Sequence, residues 1–552
     1  VLHSLLLRLF GHAPASIKTY RQGYSFKYLQ RDLMSGVTVG IVALPLSMAF
    51  AIASGASPER GLFTAIVAGI LVSLLGGTRF QIAGPTGAFV VIISGVIAHH
   101  GYTGLVMAVL LAGAILVVMG LLGLGRLLQF IPYPVTTGFT TGIGLLIFTS
   151  QIKDFLGLRI DPLPVDFLDR ILACANGLQT FTPAALGIGV ATLVSMILVR
   201  RYIPRIPAPF VGIVVATVMA GLWGMEIDTI GSRFGGIPAV LPHFAFPSDF
   251  TGSLRDIVPD ALTIALLAGI ESLLSAVVAD GMTGDRHDSS TELVALGVAN
   301  IGSVLFGGIP ATGAIARTAT NIRAGAYSPL SGIIHSLTLM GFVVACASLA
   351  SRIPLASLAA VLIVVAWDMS ELHRFKRLLH APKADSGVMI LTLLLTVFVD
   401  LTVAVEVGVV LAAILFMKRM SELADIHPFT PGLQDGDACG VKIGNSKVVI
   451  YEIGGPLFFG MTQRFINVMR FTRDTPDILI LRMRHVPSID ATGAEALETI
   501  LRKTRSQNIR VILTGVNDSV HRVLSHMGTE SIIGKNNIFN NFNEAMQKLS
   551  VD

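Results

Sequence analysis

LLGGTRFQIAGPTGAFVV, residues Leu74–Val91, and LFGGIPATGAIARTAT, residues Leu305–Thr320, open on one pattern, L-x-G-G. The two starts lie 231 positions apart, and at that offset Thr86 falls opposite Arg317. Each stretch leaves an apolar run, passes through a short piece rich in Gly and Pro, and enters a new helix-forming run. This is the pattern of a membrane segment broken part-way, and its recurrence marks two related halves. Allowing a loop about five residues longer in the second half, Pro45 of ALPLSMAF falls opposite Glu271 of AGIESLLS. With an odd number of spans in each half, the copies enter the membrane in opposite senses, as an inverted-topology repeat.

Composition places these segments in lipid. Of 552 residues, 53% are hydrophobic and 14% charged, and the mean hydropathy is +0.72, far from soluble averages. The formal net charge of +5 is spread between apolar runs, so nucleic acid is not an expected partner. Cys174, Cys346 and Cys439 lie far apart without a CxxC or Cys/His cluster, which points to neither a disulfide framework nor zinc. No nucleophile–base pair, Walker loop or metal cluster appears in the sequence, so neither an enzyme nor a cofactor is expected.

Apolar runs of spanning or near-spanning length recur from about Val37 to Met417. Twelve begin near Val37, Gly61, Gly104, Thr136, Ala185, Val211, Ala261, Leu293, Leu330, Leu355, Val388 and Leu401, and the broken segments near Pro85 and Ala316 make about fourteen. Lys and Arg collect in alternate connections: Arg126, then Arg200, Arg201 and Arg205, then Arg374, Lys376 and Arg377, then Lys418 and Arg419. Those loops are expected to be cytosolic, and with them both chain ends. Asp161, Asp166 and Asp169, and Glu226 and Asp228, mark the outer connections, while the acidic Asp280–Glu292 loop dissents. The basic stretch 1–30 reads as a cytosolic interfacial segment, since no small-residue cleavage site follows a short apolar core. A transport domain over 31–420, a linker over 421–439 rich in Pro, Gly and Asp, and a soluble domain over 440–552 follow. The last alternates strands (Lys447–Ile453, Ile478–Met483, Arg510–Thr514) with helices (Thr462–Phe471, Ala491–Ser506, Val520–Met527, Phe542–Leu549), an α/β domain.

Chemistry is expected where the broken segments meet. Interrupted backbone survives in a membrane only where it lines a cavity, and two helix starts, near Pro85 and Ala316, would together present roughly one positive charge. Arg317 adds another, making a site suited to a dianion. Glu271 stands in an apolar run where its charge costs about 2.5–3.5 kcal/mol on insertion scales. When protonated it would leave the site more positive, so proton and dianion binding favour one another. A permanent Glu271–Arg317 ion pair is the structural alternative. Thr86 and Thr318 could donate hydroxyls to a carboxylate or bond back to their own helices, and Phe50 could wall the cavity or pack in the core.

DLMSGVTVGIVALPLSMAFAIASG from Asp32, GPTGAF from Gly84, IESLLSAVVADGMTG from Ile270 and VPSIDATGAEAL from Val486 together resemble the SulP anion permeases, relatives of prestin and pendrin, with a C-terminal STAS domain. The resemblance implies an α-helical polytopic protein of about fourteen spans in a seven-plus-seven inverted repeat, divided into core and gate domains that move as an elevator. It places Phe50, Thr86 and Arg317 at the anion site and Glu271 at the acidic position, and with their neighbours Gly87, Ala316 and Thr318 these are the expected substrate-binding residues, Glu271 being the expected proton or cation coupling residue. It further implies a homodimer in a bacterial inner membrane, a small anionic substrate with a co-transported proton or sodium ion, and a possible cytosolic regulator at the STAS domain. Ala491 follows Asp490 where anti-sigma-factor antagonists carry a phosphorylated Ser, and Ala314 and Ala316 stand where prestin relatives carry serines. AWDMSELHRFKRLLHAPK from Ala366 resembles the dicarboxylate-transporting branch. Proton-coupled uptake of fumarate, succinate or aspartate is therefore the first expectation. Sulfate/proton symport, sodium/bicarbonate symport and a non-transporting anion sensor are the alternatives.

Overall fold

The computed structural model describes residues 13–21, 23–125, 132–160, 163–203, 206–238, 240–245, 254–399, 401–422, 425–429, 441–443, 446–458 and 476–551. Arg126, Asp161, Arg205, Asp400, Cys439 and the expected helix Thr462–Phe471 lie outside the described residues. Two compact units divide the chain, Val1–Val409 and Val410–Asp552.

In the first unit α1 is Ala15–Arg21, α2 Phe26–Ala53, α3 Pro58–Leu75, β1 Ala83–Gly84, α4 Phe89–Leu121, α5 Tyr133–Leu156, α6 Phe167–Asn176, α7 Pro183–Tyr202, α8 Ala208–Leu222 and α9 Ile230–Phe234. Then follow α10 Leu254–Thr283, α11 Ser289–Leu305, β2 Thr312–Gly313, α12 Ile315–Arg323, α13 Leu330–Ala350, α14 Leu355–Met369, α15 Leu372–Leu378, α16 Lys383–Phe398 and α17 Leu401–Glu422, the last running across the division. Among the described residues eight helical stretches are long and apolar enough to cross a membrane, and α8 and α11 are shorter apolar ones. α4 is broken at Gly101, whose φ of 67° and ψ of −178° only glycine adopts readily. Counting α4 as two pieces, and adding β2 with α12, α16 and α17, the described residues give seven segments from α2 to α8 and seven from α10 to α17, in keeping with a seven-plus-seven arrangement. α2 begins at Phe26, well before the expected Val37, because Asp32 in its early turns is fully buried yet satisfied: it accepts from the Tyr24 hydroxyl, from Tyr327 N–H and from Ser328 N–H and hydroxyl.

One helix set comprises α2, α3, α4, α10, α11, α12 and α13, and a second comprises α5, α7, α8, α14 and α16. Small residues let the helices of the first set approach. A Cβ on Gly113 would lie 2.8 Å from the Gly297 carbonyl oxygen, and one on Gly297 would press on Gly113 in return. Lipid offers no hydrophobic drive between helices, so this backbone-to-backbone fit supplies dispersion contact. Polar side chains stitch the halves symmetrically. Glu292, early in α11, accepts from Gly77 N–H at 2.8 Å and Thr78 N–H at 3.1 Å just past α3. Early in α3, Thr64 accepts from Ile309 N–H at 2.7 Å and Arg60 donates to Gly307 just past α11. The acidic loop that ran against the charge rule is thereby accounted for. Asp280 holds His287, Asp288 caps α11 through Thr291 N–H, and Asp285 pairs with Arg79 at 3.3 Å. Its carboxylates serve backbone, His287 and Arg79 and set no topology.

The second unit holds a six-stranded sheet of order β3–β5–β6–β7–β8, with β4 also on β5. Here β3 is Asp425–Pro428, β4 Val441–Ile443, β5 Ser446–Gly454, β6 Ile478–His485, β7 Arg510–Thr514 and β8 Ile538–Phe539; α18 is Ala491–Ser506, α19 Asp518–His526, α20 Thr529–Ile533 and α21 Phe542–Val551. β5, β6, β7 and β8 run parallel, covered by helices. Asp425–Pro428 was expected in the linker, but pairs antiparallel with Tyr451–Gly454, and its proline stands where an edge strand tolerates one. Asp490 caps α18 by accepting from Gly493 N–H at 2.7 Å.

Candidate functional site

The broken segments meet as an antiparallel two-stranded sheet, Ala83 opposite Gly313 and Gly84 opposite Thr312. Ala314 N–H extends it by donating to Ile82. Both following helices start on alanine, Ala88 before α4 and Ala314 before α12, and neither has a side-chain cap. No side chain neutralises either helix start, although in α4 Phe89 N–H donates to the Thr86 carbonyl at 3.3 Å and Val90 N–H to the Gly87 carbonyl at 3.0 Å, so what both starts direct at the meeting point is the positive end of a helix dipole.

Pro85 does not begin a helix as expected. Residues 85–88 bridge β1 to α4, and the ring removes a donor where the chain is extended. Its carbonyl oxygen instead accepts from Arg317 Nη2, so the second-half cation bonds the backbone just ahead of the first-half helix and draws the two helix starts together. Arg317 is 2% exposed, and its Nη1 has no hydrogen-bond partner among the described residues. A Cβ on Gly84 would strike that Nη1, so the guanidinium lies directly on the strand. A buried cation with an unused donor is costly unless an anion completes it.

Glu271 does not pair with Arg317 among the described residues. Its Oε2 accepts from the Thr86 hydroxyl at 2.9 Å. Glu271 belongs to a polar face of α10 that meets both broken segments: Ala268 carbonyl takes the Thr312 hydroxyl at 2.8 Å, Ser272 takes Gln81 Nε2 at 2.5 Å, and Ser275 donates to Thr318 at 3.1 Å. Positions 268, 271, 272 and 275 share one side of a helix by their three- and four-residue spacing. That stripe, in AGIESLLS, is legible in sequence, though only Glu271 was singled out from it.

The other candidates divide. Phe50 is buried, and a Cβ on Gly87 would meet its ring at 3.2 Å along with Ile147 of α5 and Met369 of α14, so Phe50 and Gly87 stand where the two helix sets touch. Thr318 is fully buried and accepts from Ile82 N–H at 3.1 Å and from the Ser275 hydroxyl, which ties α12 to the strand and to α10. Ala316, on the exposed side of α12, contributes backbone alone. Sequence reading missed the Pro85 carbonyl, Gln81 and Ser272, whose partners lie in the other half of the chain.

Residues 29–392 match the sulfate permease family and residues 441–545 the STAS domain. The chain is 42% identical over 525 residues to "Putative sulfate transporter YvdB" of Bacillus subtilis, covering 95% of this chain and 98% of that one. It is 31% identical over 521 residues to the bicarbonate transporter BicA of a Picosynechococcus species, covering 91% of each. The fold is that of murine Solute Carrier 26 family member A9, an anion transporter solved in the inward-facing state, with a TM-score of 0.85 at 19% identity over 99% of this chain and 95% of that one. By the match over most of its membrane unit and the full-length relatives, the chain belongs to the sulfate permease family, as a multi-pass membrane anion transporter with a C-terminal STAS domain.

Proposed function

We propose that this protein is a secondary active transporter carrying a small oxyanion, sulfate first, with a proton taken up at Glu271. The bond from Thr86 to Glu271 carries the reading, because it links the one acidic group of the α10 stripe to the start of α4, beside the Arg317 site. With Glu271 ionised, its charge opposes a dianion held by Arg317 and two helix ends. With Glu271 protonated the opposition goes, so a lower outside pH favours dianion binding outside. Alternating access follows from movement of the α2–α4 and α10–α13 set against the α5, α7, α8, α14 and α16 set, as an elevator. Dicarboxylates fall behind sulfate, because the full-length relatives are named for sulfate and bicarbonate. Sodium-coupled bicarbonate uptake is the second reading, favoured by the Thr86–Glu271 oxygen pair, which could ligate a hard cation. The homodimer, the cytosolic chain ends in a bacterial inner membrane and a regulator at the STAS domain belong to the same proposal, on family resemblance and loop charge.

Reconstitution in liposomes tests it, with labelled sulfate, bicarbonate and fumarate offered under an inward proton gradient, an inward sodium gradient or neither. Sulfate uptake quickened about tenfold by the proton gradient, with the dependence lost in Glu271→Gln, is the expected result. Sodium-driven bicarbonate uptake would move the second reading to first, and fumarate uptake would restore the dicarboxylate reading. A chain that binds these anions and moves none would be a sensor.

A further inference from the structure

AWDMSELHRFKRLLHAPK, residues 366–383, is a stretch that the anion site leaves unused. It carries α14 to its end and then forms α15. Between the two, Glu371 has φ 41° and ψ 41°, the left-handed region that residues other than glycine rarely adopt, and this turns the chain off α14. α15 is held in place. It packs on α5 and α16, the Ser386 hydroxyl donates to the Leu378 carbonyl at 2.7 Å, and the Thr141 hydroxyl of α5 donates to the Ser370 carbonyl at 2.9 Å. Its sides differ. Leu372, Phe375 and Leu378, three residues apart, are half-buried, while His373, Arg374, Lys376 and Arg377 between them are exposed, the division of an amphipathic helix.

The ends of α5, α7 and α14 meet this element. Arg200 at the end of α7 reaches Asp368 at the end of α14 at 2.9 Å, and the Arg374 guanidinium lies 6.0 Å from the Tyr133 ring at the start of α5. Three aromatic side chains at these ends are open to the surroundings: Trp367 is 69% exposed, Tyr202 71% and Tyr133 47%. Such rings, apolar in body and polar at the tip, settle at the headgroup level of a bilayer. Cations outnumber acids here. Arg200 is spent on Asp368, Arg374 pairs with Glu371 at 2.6 Å, and Asp385 has an interaction of its own. Arg201, Lys376, Arg377 and Lys383 are exposed, and their side chains have no partner among the described residues. With every acid counted, six Lys and Arg stand against three carboxylates, a surplus of three positive charges. Exposed cations along one helix make a shallow site, poor at holding a dissolved ion against water. They suit headgroup phosphates, which the bilayer keeps beside them.

We propose that α15, with the adjoining ends of α7 and α14, is a docking surface for anionic phospholipid, whose headgroup phosphate is taken by Lys376 and Arg377 beside Trp367. The surface is independent of which anion the protein carries. Trp223→Phe in the full-length chain leaves Trp367 as its one tryptophan. That chain is reconstituted in phosphatidylcholine vesicles holding a minor fraction of brominated phosphatidylglycerol or, at equal content, brominated phosphatidylcholine, and quenching of Trp367 by bromine is read. Phosphatidylglycerol is expected to be preferred about twentyfold, about fivefold for each of the two cations, and less so as salt is raised. Lys376→Gln and Arg377→Gln should each lower the preference about fivefold, and together abolish it, while Lys376→Arg retains it. Equal quenching by the two lipids, or a preference unchanged in the double variant, would overturn the proposal. Displacement of phosphatidylglycerol by millimolar inorganic phosphate would do so too, by assigning these cations to a dissolved anion.

Discussion

The two broken segments share a start and diverge within four residues. After β1 the chain stays irregular through Pro85–Ala88 before α4 begins, whereas after β2 a single residue, Ala314, precedes α12. The first segment thus presents a carbonyl and a hydroxyl, Pro85 and Thr86, and the second presents a cation, Arg317. α4 continues for 33 residues through its Gly101 break, while α12 stops after nine. The repeat conserves a place where two helix starts converge and leaves each half free to furnish it differently. What one half offers is completed by the other, since Arg317 bonds Pro85 and Thr86 bonds Glu271.

The strongest way to break this comparison is Arg317→Gln. If the second half alone supplies charge, sulfate uptake should fall by about 10²–10³, as when one partner of a buried charged contact is removed. Initial rates that stay within about tenfold would mean that helix starts suffice and the halves are electrically alike. Thr86→Val keeps the shape and removes the hydroxyl. Loss of a hydrogen bond to a charged group, about 1.5–3 kcal/mol, predicts roughly a tenfold drop or more in uptake together with a shifted pH profile. A drop without any change in pH profile would place Thr86 on the anion and away from Glu271. The smallest effect lies outside both halves. Asp490→Ala removes the α18 cap at a cost of about 1 kcal/mol, so amides of 491–506 in the full-length chain should exchange about fivefold faster while uptake stays unchanged. A loss of uptake there would show that the STAS domain governs the membrane site.

Local pattern made much of this readable. Ala491–Ser506 and Arg510–Thr514 appear with the bounds their periodicity predicts, and the L-x-G-G repeat set Thr86 opposite Arg317 before any fold was known. Misreadings share one cause. Pro85 was taken for a helix start on local preference, and Asp425–Pro428 for linker on composition. Both are placed by partners outside their local stretch: Arg317, 232 residues away, and β5, 23 to 29 residues on. Thr318, weighed from sequence as a hydroxyl donor or as bonding back to its own helix, accepts from Ile82 N–H, 236 residues distant, a partner that no local pattern shows.

By itself the sequence determined the membrane class, the doubled architecture and the residue types at the interruption. Hydropathy, Gly and Pro act within a few residues of where they stand. Tertiary structure alone decided how the polar atoms are engaged: Thr318 accepting from Ile82, Glu271 held by Thr86, and Arg317 Nη1 without a partner among the described residues. In a medium that offers no water, a polar group's role depends on which other group reaches it. That reach spans the two halves of the repeat, and only folding closes it.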